Sequence, residues 1–148
     1  MDKLEKIPII IEIPKGCKFK YEIDKVSGSL VVDRILKLSY PFNYGYMPNT
    51  LWEDGDALDA IVIGDFELYP KSIVYAEPVA VIKMFDNGES DFKLICRVGN
   101  DVFEEYWDAI EGFLKVYKKG VTIEGYDTKK TTIQKTIKKA KDAYVHHP

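Results

Sequence analysis

The densest group of potential ligands in this sequence is an acidic segment that places Asp54, Asp56 and Asp59 within six residues. The apolar run 60–63 follows directly, so the carboxylates lead into a segment that would be buried as a strand. Anions beside a buried strand are costly unless cations compensate their charge. Carboxylate oxygens prefer hard cations such as Mg²⁺, Mn²⁺ or Ca²⁺, which makes a divalent-metal site one interpretation. A solvated acidic turn is the other, and this segment alone does not decide between them.

A second acidic segment spans residues 86–91 and has the composition of a hairpin turn. Asp91 and Lys93 are two residues apart, so on the following strand they would lie on the same face. Asp and Asn are also favoured in hairpin turns for backbone reasons. An ordinary turn is therefore the simpler interpretation of this segment when it is taken alone.

A third segment, residues 40–46, carries three tyrosines around a proline and a glycine. Pro and Gly constrain the backbone of a turn, and tyrosine hydroxyls can donate hydrogen bonds to an anion. Aromatic packing in a loop would explain the same composition. Oxygen ligands for hard metals, combined with Lys, Arg and Tyr donors, favour a small and highly charged phosphate compound as the ligand.

The elements that must position these residues are mostly short strands. Residues 18–23 alternate between charged and apolar side chains, which predicts a strand with one charged face. Further strands are predicted at 30–35, 60–63, 73–81, 92–98 and 121–126. Apolar residues recur every three or four positions from 103 to 117, which predicts a helix of about four turns, and a more polar helix is predicted around 133–144. The class is therefore α+β and β-rich, and strands at this spacing suggest a barrel.

Length and composition limit the possible functions. The 148 residues, 46% of them hydrophobic, suit one globular domain over residues 1–148. A net charge of −3 argues against binding to nucleic acid. Two cysteines are too few for a disulfide framework, and the apolar run 7–13 is too short to span a bilayer. We therefore expect a cytoplasmic protein that has no membrane partner.

The order of these motifs resembles that of the family I soluble inorganic pyrophosphatases over nearly the whole chain. The matching segments are 11–16, 20–24, 33–34, 40–46 and 54–59, followed more loosely by 83–86, 91–93 and 113–118. The resemblance implies an OB-like, closed five-stranded β-barrel with flanking helices, two of them in the C-terminal part. It also implies hydrolysis of inorganic pyrophosphate to two phosphates with Mg²⁺, or with Mn²⁺ or another divalent ion, as cofactor.

The resemblance further implies the roles of individual residues. Asp56 would be the general base, which orients and deprotonates the attacking water. The metal ligands would be Asp54, Asp59, Asp86 and Asp91. The residues that bind the phosphates would be Lys20, Arg34, Tyr44, Lys93, Tyr117 and Lys118. Supporting residues would be Glu12, Glu22 and Tyr40.

The sequence departs from the family pattern at a few positions. Asn87 stands beside Asp86 where members commonly have Glu, so the resemblance leaves open how a metal is held there. The resemblance implies a homo-oligomer, usually a hexamer, but Gly112 and Val116 stand where some bacterial members have histidines between subunits.

Two rival functions belong to other classes. An OB-type module that binds single-stranded nucleic acid would need a basic groove, and clustered aspartates would repel the phosphate backbone. A degenerate family member kept as a scaffold should lack a central ligand, and none of the implied ligands is missing from this sequence.

Overall fold

The computed structural model describes residues 3–147, which form nine strands and two α-helices. The strands are β1 (Ile7–Ile13), β2 (Phe19–Ile23), β3 (Leu30–Ile35), β4 (Asn43–Tyr46), β5 (Asp59–Ile63), β6 (Ile73–Asp86), β7 (Glu89–Ser90), β8 (Lys93–Arg97) and β9 (Val121–Asp127). The helices are α1 (Trp107–Val116) and α2 (Lys130–Val145). Neither described helix combines the length and the apolar character needed to cross a membrane.

Five strands close into a ring, hereafter the ring, in the order β1-β4-β5-β8-β6, with β6 pairing again to β1. All of these pairings are antiparallel except that between β5 and β8, which is parallel. The predicted β-rich α+β class, with five closed strands and two helices in the C-terminal part, is confirmed.

The core lies on both faces of the ring strands. In β5, Ala60 and Val62 belong to one apolar cluster, which α2 covers, while Ile61 and Ile63 belong to a second cluster, which α1 covers. A strand buried on both faces reads as a continuous apolar run, which explains the sequence of residues 60–63. The aspartates that precede this run are therefore held at the edge of the core.

Strand β4 lies in the aromatic segment 40–46, whose proline and glycine suggest a constrained turn. It pairs with β1 and β5, and Gly45 comes so close to the carbonyl of Ile10 that a Cβ atom at position 45 would clash with it. The absence of a side chain at Gly45 therefore lets β4 pair closely with β1, and the glycine does not form a turn. This pairing places Tyr44 opposite Ile61, next to the acidic segment.

The predicted helix over 103–117 is shorter in the structure. A 3₁₀ turn spans Phe103–Glu105, and α1 begins only at Trp107. Residues three apart share a face in both kinds of helix, so an apolar pattern does not separate a 3₁₀ turn from the first turn of an α-helix.

Strands β2 and β3 form a separate two-stranded sheet, hereafter the ribbon. The ribbon is largely exposed, and its apolar side chains Ile23 and Val32 are 50% and 53% accessible. The predicted alternation in β2 therefore does not create a buried apolar face. The ribbon instead presents Lys20 and Arg34, which are paired across the two strands.

Candidate active site

A cavity of about 690 Å³ lies between the ring, the ribbon and the segment that follows α1. The cavity brings together nearly all of the residues to which the resemblance assigns a role. Those that line it are Glu12, Lys20, Glu22, Arg34, Tyr40, Tyr44, Asp54, Asp56, Asp59, Asp91, Lys93, Tyr117 and Lys118. Asp86 is not in the lining, but it contacts Lys118 at 2.7 Å.

The parallel pairing of β5 with β8 builds the centre of the site. It places Asp59 directly opposite Lys93, although 34 residues separate them in the sequence. Lys93 Nζ lies 2.9 Å from Asp59 Oδ2, 3.3 Å from Asp91 Oδ1 and 2.8 Å from Tyr44 Oη. The Lys93 side chain is only 1% exposed, so its charge depends on these partners.

Three carboxylates converge beside this lysine. Asp54, Asp59 and Asp91 each offer one oxygen, and these oxygens lie within 4.8 Å of one another. Burial, together with the charges of Asp59 and Asp54, raises the pKa of Asp91 to about 7 in spite of the nearby Lys93. Three carboxylates this close together repel one another unless a cation lies between them. Because all the available ligand atoms are oxygens, a hard divalent cation suits the site. Asp54, Asp59 and Asp91 therefore fit the metal site that the resemblance implies.

Trp52 joins the two acidic segments. Its backbone N–H donates to the Asp56 carbonyl at 2.7 Å, and its indole Nε1–H donates to Ser90 Oγ at 3.1 Å. Its ring also stacks on Phe92, with the ring centroids 5.3 Å apart. One buried side chain thus fixes the loop that carries Asp54 and Asp56 against the segment that carries Asp91.

The Asp56 carboxylate is the most accessible of the acidic groups in the 54–59 loop. The residue is exposed and lines the cavity, and its side chain accepts no hydrogen bond from any residue of 3–147. Its backbone is engaged instead: the N–H donates to Asp54 Oδ1 at 3.2 Å, and the carbonyl accepts the hydrogen bond from the Trp52 N–H. A water in the cavity can therefore reach the Asp56 oxygens.

The predicted phosphate-binding residues surround the carboxylates. Tyr117 Oη is buried and has no hydrogen-bond partner in the described part of the chain. Burial raises the pKa of Tyr117, so its hydroxyl stays protonated and can donate to an anion. Lys118 is held by Asp86 and also lies 3.7 Å from Asp91. The ring of Tyr40 packs against that of Phe113, with the ring centroids 4.7 Å apart, which agrees with its predicted role as a supporting residue.

Two residues with polar side chains line the cavity but have no role in the sequence prediction. Tyr46 is half-buried, and burial together with Glu12 and Glu22 raises its pKa. It lies two residues after Tyr44 on the same strand, so the period of the strand could have indicated it. Lys71 also lines the cavity, but it belongs to none of the motifs and no spacing pointed to it.

Comparison with known proteins gives a consistent result. The family profile described as inorganic pyrophosphatase matches residues 9–145. A relative named inorganic pyrophosphatase, from Helicobacter pylori (strain ATCC 700392 / 26695), is 37% identical over 95% of this chain and 92% of its own. A solved inorganic pyrophosphatase from Helicobacter pylori superposes with a TM-score of 0.80, at 34% identity and 98% coverage of both chains. One from Thermus thermophilus also has a TM-score of 0.80, at 30% identity over 98% of this chain and 95% of its own.

Proposed function

We propose that this chain, which belongs to the inorganic pyrophosphatase family and hydrolyses pyrophosphate to two phosphates, attacks its substrate with a water activated by Asp56. The observation that supports this most strongly is that Asp54, Asp59 and Asp91 converge in the same cavity as the Tyr117 hydroxyl, a buried donor that has no partner within residues 3–147. A site for small, highly charged anions needs both groups at once.

Asp54, Asp59 and Asp91 would hold the main divalent ions, and Asp86 would join Asp91 in holding an ion that accompanies the substrate. Bound divalent ions lower the pKa of water towards neutrality and neutralise charge on phosphoryl oxygens. We propose Mg²⁺ as the natural ion, with Mn²⁺ or another divalent ion as a substitute, because the ligands are all oxygen atoms.

Asp56 would act as the general base. Its carboxylate faces the cavity without a side-chain or backbone donor among residues 3–147, so both oxygens are available to a water. The hydrogen bond from its own N–H to Asp54 fixes the loop and leaves the carboxylate free. A positioned base of this kind orients the water and accepts its proton as attack begins.

Lys20, Arg34 and Tyr117 would bind the phosphate oxygens together with Tyr44, Lys93 and Lys118. The Tyr117 hydroxyl supports this most directly, because a buried donor without a partner is costly until a ligand accepts its hydrogen bond. Cationic donors would stabilise the charge that develops on the leaving phosphate. No covalent intermediate is needed, since the nucleophile is water.

We also propose a cytoplasmic location and a homo-oligomer. Cys96 is buried as a free thiol and Cys17 is also unpaired, which suits a reducing compartment. The proposal of an oligomer, a hexamer in the family's usual form, rests on the resemblance in sequence, and sedimentation of the purified protein would test it.

Phosphate release from pyrophosphate in the presence of Mg²⁺ tests the proposal. The wild type should release phosphate rapidly, and a chelator should abolish the release. We expect Asp56→Asn to lower kcat by about 10²- to 10⁴-fold while Mg²⁺ binding is kept, since the variant removes the base and not a metal ligand. Asp65→Asn is a matched control, because the Asp65 side chain is 87% exposed and lies outside the cavity lining. A folded wild type that releases no phosphate with Mg²⁺ or Mn²⁺ would overturn the proposal.

A further inference from the structure

Lys71 has a backbone conformation that is unusual for its residue type. It is the third residue of a turn in which Ser72 N–H donates to the Tyr69 carbonyl at 3.2 Å and Pro70 is second. Proline at the second position and a φ of +70° at the third are typical of a type II turn. The positive φ favours Gly or Asn at the third position. Within residues 3–147, the other non-glycine residues with positive φ are Asn49 and Asn87. Lys71 therefore carries a steric cost that asparagine tolerates more easily.

Hydrogen bonds hold this turn against the edge of the cavity. Lys71 N–H donates to the Ile11 carbonyl at 2.6 Å, and Ile11 N–H donates to the Ser72 carbonyl at 3.0 Å. The next residue of β1 is Glu12, which lines the same cavity as Lys71. The charge of Lys71 is close enough to lower the pKa of Glu12, although burial raises that pKa overall. The strained backbone thus places a half-buried ammonium group beside the acidic site.

This ammonium group is free to bind a ligand. No carboxylate of residues 3–147 lies within 4.0 Å of Lys71 Nζ. Among the other cations that line the cavity, Lys93 and Lys118 are already paired with aspartates. Within residues 3–147, only Lys20 among them also has no ion pair. An anion can therefore bind to Lys71 without breaking an ion pair.

We propose that Lys71 is an additional phosphate-binding residue, which contacts the substrate or the product phosphate on the Glu12 side of the cavity. This role rests on the proposed function. It accounts for a lysine at a position where glycine would be free of strain, because backbone strain at a binding site is kept when the side chain is used. Phosphate contacts would then come from Lys71 near the ring as well as from Lys20 and Arg34 on the ribbon.

Three substitutions at this position separate the charge from the strain. Lys71→Gln removes the charge and keeps the strain, Lys71→Gly removes both, and Lys71→Arg keeps both. We expect the first two to raise KM for pyrophosphate about fivefold with little change in kcat, as for the loss of one charged contact that is partly exposed. Lys71→Arg should stay close to wild type. Lys71→Gly should show an unchanged or higher Tm, so that affinity falls without loss of stability.

Calorimetric binding of inorganic phosphate in the presence of Mg²⁺ is the second readout, and it does not depend on turnover. It should weaken by a similar factor in Lys71→Gln and not in Lys71→Arg, with Lys135→Gln, on the exposed face of α2, as the control. Unchanged phosphate binding in Lys71→Gln would overturn the proposal, as would tighter Mg²⁺ binding as its only effect. Failure of the wild type to hydrolyse pyrophosphate would instead count against the proposed function.

Discussion

The two sides of the cavity differ in how completely the protein itself satisfies their charges. On the ring side, formed by Asp54, Asp59, Asp91 and Lys93, the lysine is 1% exposed and contacts two of the three aspartates. On the ribbon side, formed by Lys20, Glu22 and Arg34, the arginine side chain is 64% exposed. Among residues 3–147, its one ion pair is with Asp33, at 4.0 Å.

This difference separates a preorganised half of the site from a half that depends on its ligand. Buried charges are held in place by one another, so removing one leaves the rest uncompensated. Exposed charges are screened by water and contribute little until an anion binds them. We infer that the ring side is arranged to hold metal before substrate arrives, whereas the ribbon side contributes mainly through the substrate.

Removal of the buried cation should have the largest effect. In metal-free protein at pH 8, we expect Lys93→Met to lower the free energy of unfolding by about 3–5 kcal/mol, because Asp59 and Asp91 lose their partner. Arg34→Met is the matched change on the ribbon side and should cost less than about 0.5 kcal/mol. Urea unfolding of both variants measures the contrast, and equal losses would remove the distinction between the two sides.

The buried carboxylate should make metal-free stability depend on pH. The pKa of Asp91 is about 7 in the folded chain, whereas an unfolded aspartate has a value near 3.9. Between these values the folded state binds the extra proton, so stability falls as pH rises, by up to about 1.4 kcal/mol per pH unit. The stabilisation that comes from protonated Asp91 is therefore fully present below about pH 4 and is lost as the pH rises through about 7.

Thermal unfolding in a chelator between pH 5 and 8 measures this slope. Asp91→Asn should flatten it, because the amide does not titrate, whereas Asp65→Asn should leave it unchanged because Asp65 is exposed. A slope that survives in Asp91→Asn would show that another group is responsible.

A smaller effect should follow from loosening the link between the two acidic segments. Trp52→Phe keeps an aromatic ring against Phe92 but loses the hydrogen bond to Ser90, and we expect a cost of about 1 kcal/mol. Ser90→Ala should cost a similar amount, and the double variant should lose little more than either. Additive losses in the urea unfolding of these variants would mean that the hydrogen bond does not couple the segments.

Local patterns in the sequence predicted much of the fold and the chemistry of the site. The run 60–63 indicated a buried strand, whereas the clustered aspartates beside it left a metal site and a solvated turn open until the resemblance favoured the metal site. The resemblance supplied the individual roles, which stay predictions. The convergence of Asp59 with Asp91 depends on the parallel pairing of β5 with β8, and spacing along the chain carries no signal for a pairing so distant.

The features that the sequence did not predict are those decided by tertiary contacts. Pro41 and Gly45 suggested a constrained turn, but residues 43–46 form a strand that pairs with β1, and the carbonyl of Ile10 lies against Gly45. Lys71 carries no local signal, because its place in the cavity depends on hydrogen bonds between its turn and β1. Propensity describes the isolated segment, whereas these positions depend on what packs against it.

Direct binding of Mn²⁺, followed by electron paramagnetic resonance without substrate, tests the central claim that the ring side holds metal before substrate arrives. Wild type and Arg34→Gln should bind the ion with the same affinity, because the arginine belongs to the ribbon side. Asp91→Asn should bind it at least about tenfold more weakly, through loss of one charged ligand. Unchanged affinity in Asp91→Asn, or an equal loss in Arg34→Gln, would contradict the account.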